Sequence, residues 1–113
     1  MAIDEHLADR VRAQLAPKGD CVERRMMGAL CFMVGGHMCC GVTGTALMVR
    51  VGRGAYQAAL AEEHVSPMEM SGRSPRGFVL VDAAGVETDR DLAAWVARSK
   101  AFIATLPERP QTG

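Results

Sequence analysis

A chain of 113 residues with 13 basic and 13 acidic side chains has the length of one domain and no formal net charge. A broad phosphate-gripping footprint needs a basic excess, so nucleic acid is a less favoured partner than protein. No apolar stretch approaches a membrane span, and Asp4, Glu5 and His6 stand where a signal peptide would carry its basic and apolar run. The expectation is a cytoplasmic protein with reduced thiols and no membrane partner.

Residues 4–16 read as an amphipathic helix, with Leu7, Val11 and Leu15 on one stripe and Asp4 as its cap. Pro17 and Gly19 stop it. Short strands follow. The first spans 21–27 and turns at Gly28-Ala29. The second spans 30–34 and the third 37–42, with Gly35-Gly36 between them. Both glycines of that pair can take positive φ, as a tight hairpin turn requires. Thr43-Gly44 leads to a fourth strand over 46–51.

A short helix is expected over 55–63, with Tyr56 and Leu60 on one side. Met68–Met70 reads as an edge strand and 77–82 as the last strand. The strongest helix pattern runs over 89–106: Leu92, Trp95, Val96, Ser99, Phe102, Ile103 and Leu106 share a face. Thr88 with Asp91 forms its capping signal, and Pro107 stops it. The tail to Gly113 is expected to be mobile. The order α-β-β-β-β-α-β-β-α, joined by short turns, gives one α+β domain with a mainly antiparallel sheet and helices on one face. Its core spans about residues 4–107.

Several pieces together resemble the TfoX N-terminal domain family. They are Arg25-Met26-Met27-Gly28, Cys31-Phe32-Met33, Gly36-His37-Met38, Cys40-Gly41-Val42, Leu47-Met48-Val49-Arg50-Val51 and Gly72-Arg73-Ser74-Pro75-Arg76-Gly77-Phe78-Val79. The helix with Leu92, Trp95 and Val96 and the terminal Thr105-Leu106-Pro107 complete the set. Ala29 stands where the family pattern often has a second glycine. The family includes two-domain proteins linked to regulation of natural competence, with a helical C-terminal domain. The resemblance therefore implies the N-terminal fold, here as a stand-alone domain, and a regulatory role in the wider family. It implies no catalytic residue and no cofactor.

The four cysteines, Cys21, Cys31, Cys39 and Cys40, together with His37, raise the question of zinc. With a two-residue turn at Gly35-Gly36, Val34 faces His37, Met33 faces Met38, Phe32 faces Cys39 and Cys31 faces Cys40. Alternation then puts Cys31, Met33, Met38 and Cys40 on one face and Phe32, Val34, His37 and Cys39 on the other. Ligands split between faces cannot converge on a metal, so none is expected. The same register makes Cys31 and Cys40 a candidate redox pair. Cys39 beside His37 resembles a thiol–imidazole couple without an orienting third group, a thin basis for a small thiol enzyme.

Gly52-x-Gly54 precedes a helix but lacks the third glycine of a dinucleotide site and the lysine of a P-loop. Arg50, Arg73 and Arg76 are candidate binding residues if they converge, because forked guanidinium bonds hold phosphates and carboxylates. Both faces of the central hairpin are apolar, so the second face needs a cover. The expected covers are further helices, a second subunit in a homodimer, or a protein partner. Phe32, Val34 and His37 are the candidate contact residues on the strand face. The functional expectation is a non-enzymatic protein-interaction or regulatory module, with a DNA-linked regulator as the alternative.

Overall fold

The structure is a computed structural model, and it describes residues 3–15, 21–26, 28–69 and 72–107. The expectations placed on Pro17, Gly19, Met27, Met70 and the tail from residue 108 lie outside the described residues.

Helix α1 (Glu5–Leu15) starts where the sequence places its cap. The Asp4 carboxylate accepts the amides of His6 and Leu7 at 3.0 and 3.1 Å, satisfying two of the free N–H groups of the first turn. Leu7, Val11 and Leu15 are buried, as their spacing requires. Four strands follow: β1 (Cys21–Met26), β2 (Ala29–Val34), β3 (His37–Thr43) and β4 (Ala46–Arg50). Gly35 and Gly36 hold φ of 59° and 81°, which closes the β2–β3 hairpin on two residues.

The chain continues through α2 (Arg53–Leu60), β5 (Val65–Pro67), β6 (Phe78–Val81), a 3-10 turn at Ala83–Val86, and α3 (Asp89–Ile103). The Thr88 hydroxyl caps α3 by accepting the Asp91 amide at 3.0 Å. The edge strand anticipated at Met68–Met70 sits three residues earlier, because Met68 turns inward and is buried. The 3-10 turn carries no periodic signal and is visible only in the structure.

The six strands form one antiparallel sheet in the order β1-β2-β3-β4-β6-β5. All three helices pack on one face. Leu7 and Val11 of α1, Tyr56 of α2, and Leu92 and Val96 of α3 close over Phe32, Val42, Leu47, Val49 and Val81. A smaller cluster lies behind the sheet, where Met68 packs on Ala29, Cys31 and Met48.

One strand departs from simple alternation. The register runs Val34↔His37 and Met33↔Met38, then Phe32↔Cys40 and Cys31↔Gly41. Cys39 is an extra residue, a β-bulge. Its carbonyl accepts the Ser99 hydroxyl of α3 at 2.6 Å. The bulge places Cys39 and Cys40 both in the helix-side core. It also overturns the expected Cys31–Cys40 pairing: Cys31 faces Gly41 and belongs to the cluster behind the sheet. None of the four cysteines is in a disulfide.

Candidate functional site

Three places gather the side chains singled out by sequence. The first is the bulge. Cys39 and Cys40 are fully buried side by side, with Ser99 above them. The Cys40 thiol hydrogen-bonds to Cys39, which holds Cys39 down to about 7 against the cost of burial, and the Lys100 charge acts in the same direction. Ser99 has one hydroxyl proton and commits it to the Cys39 carbonyl, so the bond from Cys40 is the main cause. Cys40 keeps its proton to well above the usual range, because that proton serves Cys39 and because the site is buried. Burial alone raises Cys31.

Beside the bulge a cleft of about 240 Å³ opens between the β2–β3 turn and the end of α3, lined by Val34, His37, Lys100 and Ile103. His37 is 7% exposed. Its Nε2 lies 2.6 Å from the Pro107 carbonyl and donates to it, since a carbonyl can only accept. Nδ1 is buried with no partner in the structure. The His37 ring therefore fastens the end of the last helix and makes no hydrogen bond to Cys39. Among the described residues, no three of His, Cys, Asp and Glu stand together as a metal site, even though the bulge brings Cys39, Cys40 and His37 to one face.

The arginines do not act as one set. Arg50 at the end of β4 lies between two rings, 5.3 Å from the centroid of Phe78 and 5.4 Å from that of Phe102. The Phe102 ring also closes over Gly52, where a Cβ would stand 2.4 Å from it. That ring fills the approach a phosphate would need at Gly52-x-Gly54. Arg50 thus braces the α3 end against the sheet. Arg73 and Arg76 are exposed on the loop after Met68, and neither makes an ion pair among the described residues.

The third place is the sheet behind the helices. Phe32 is fully buried in the helix-side core, so the expected contact set of Phe32, Val34 and His37 lies on the covered face. Val34 alone of the three is partly open. The open face belongs instead to Val22, Arg24 and Met26 of β1, which stand opposite Met33, Cys31 and Ala29. Val22 and Met26 are 39% and 42% exposed, the large apolar side chains most open to water among the described residues. Met33 and Met38 beside them are half-buried. Sequence reasoning missed β1 because strand order, not local pattern, makes it an edge.

The other three residues of β1 point toward the helices. Cys21 packs against the core, Glu23 accepts Arg12 of α1 at 2.9 Å, and Arg25 lies 3.7 Å from Glu5. The bond from Arg12 lowers the Glu23 carboxyl below its usual range.

The chain matches the TfoX N-terminal domain over residues 13–103. The chain belongs to the TfoX N-terminal domain family. Neither a curated protein nor a solved structure matches it. Within this TfoX-type domain no helix of the described residues is long and apolar enough to cross a membrane.

Proposed function

We propose that this TfoX-type domain is a non-enzymatic protein-interaction module of regulatory character, working through β1 and the open face of the sheet. The observation that carries it is the exposure of Val22 and Met26 on an edge strand, continuous with the half-buried Met33 and Met38. Flexible methionine side chains fit partners of varied shape. An edge strand offers backbone N–H and C=O groups to a second strand. Arg73 and Arg76, on the loop beyond Met68, supply exposed positive charge for acidic groups at the rim.

Two features favour binding over catalysis. The Cys39 thiol is fully buried, and the His37 imidazole serves the Pro107 carbonyl. The neutral net charge favours a protein partner over a nucleic acid. The test compares proteins captured from native extract by the wild-type domain and by Met26→Lys. Loss of specific partners by the variant at unchanged melting temperature supports the reading; identical capture overturns it.

The exposed Arg73 and Arg76 support a DNA-linked reading as the second choice. Binding to duplex DNA would then fall steeply with salt, and Arg73→Ala with Arg76→Ala would flatten the slope by about 2, one unit per phosphate contact. No binding at low salt ends that reading.

A further inference from the structure

The two edges of the sheet are unequal. β5 is three residues long and ends at Pro67, which has no N–H to give. β1 is six residues long, without proline. Its side chains are sorted strictly: Val22, Arg24 and Met26 face away from the helices, while Cys21, Glu23 and Arg25 face toward them.

Consider two copies of this strand, antiparallel, about a two-fold axis perpendicular to the sheet. Such an axis keeps each face on its own side, so residues directly opposite one another must share a face. Three central registers meet that condition. Centring on Glu23 sets Glu23 against its own copy and Val22 against Arg24. Centring on Arg25 sets Arg25 against its own copy and Met26 against Arg24. Centring on Arg24 sets Val22 against Met26 and Glu23 against Arg25, twice over by symmetry. Only this last register matches apolar with apolar and acid with base.

We propose that a second copy of this chain pairs with β1 in the Arg24-centred register, joining two six-stranded sheets with all helices on one side. The inference rests on the interaction-module reading and names its partner. The two most exposed apolar side chains, four residues apart, then cover each other across the axis. Glu23 retains acceptor capacity for Arg25 of the second copy, since a carboxylate accepts about four hydrogen bonds and Arg12 takes two. The Arg25–Glu5 pair at 3.7 Å is loose and exposed, so Arg25 can turn to the new carboxylate at little cost. One pair is unfavourable: Arg24 meets Arg24. That repulsion makes the assembly weak and salt-strengthened at its centre, and it supplies a variant that should tighten it.

Analytical ultracentrifugation of the full chain, with circular dichroism to confirm folding, decides the matter. The wild type should reach a dimer with rising concentration. Val22→Glu and Met26→Lys should each weaken it at least tenfold, and the double variant should restore it, because the two new charges face each other across the axis. Arg24→Thr should tighten the dimer. A dimer indifferent to all four variants overturns this register. A wild type that stays monomeric at millimolar concentration overturns the pairing altogether; loss of captured partners by Met26→Lys would then still uphold the interaction module, and unaltered capture would end both readings.

Discussion

The two faces of the sheet are both apolar but are closed in different ways. On the helix side, three helices bring long side chains down on Phe32, Leu47 and Val49, which lose all exposure. On the other side the closure is local. Met68 covers Ala29, Cys31 and Met48, and toward β1 the cover runs out, leaving Val22 and Met26 exposed. The contrast is one of closure: the helix-side face is sealed, and the other face leaves apolar side chains open to water.

The largest effect should come from the covered face. Phe32→Ala empties a fully buried site in the helix-side core and should cost about 3–5 kcal/mol in urea unfolding. An effect near zero would mean that the helices do not close this face. Met68→Ala should cost less, about 2 kcal/mol, because Met38, Phe78 and Leu80 also pack on the smaller cluster. It should also raise the reactivity of Cys31 toward a thiol reagent in the folded protein; unchanged reactivity would show that Met68 is not the cover.

Ser99→Ala removes the hydroxyl that donates to the Cys39 carbonyl at the bulge and should cost about 1–3 kcal/mol, the range for a buried acceptor that loses a partner. The paired thiols give a pH dependence with two limbs. Cys39 ionises more readily folded than unfolded, so its contribution is present above pH 9 and is lost as pH falls toward 7. Cys40 holds its proton more tightly folded than unfolded, so its contribution is present below pH 9 and is lost as pH rises further. Stability under reducing conditions should therefore climb from pH 7 to 9 and decline beyond it. Cys39→Ala should flatten the rise, and denaturant midpoints at pH 6.5, 9 and 10.5 check both limbs. The smallest effect belongs to the open face: Val22→Glu should move the monomer's stability by no more than about 0.5 kcal/mol while altering association.

Much of this architecture is legible in the residues. The Leu7–Val11–Leu15 stripe and the Leu92–Val96 face mark their helices, and Gly35-Gly36 marks its turn through the positive φ both residues adopt. Alternation also announces a sheet with two apolar faces. The bulge is hidden, because the donor to its carbonyl is Ser99, 60 residues away. In the sequence Ser99 is merely a polar residue in an apolar stripe. Arg50 reads as a ligand-binding arginine because nothing local reveals that Phe78 and Phe102 flank it. The value of β1 as a surface depends on its neighbours in the sheet, a property of topology.

The last helix meets the sheet at three successive levels along its length. Ser99 reaches the bulge, Phe102 lies across Gly52 and Arg50, and the Pro107 carbonyl just beyond its end accepts a hydrogen bond from His37. Helix termini ordinarily fray, yet this one is riveted down the whole of its final stretch. Amide hydrogens near Ile103 should then exchange with solvent only when the central strands themselves come apart, so that the end of α3 and the middle of the sheet share one opening event.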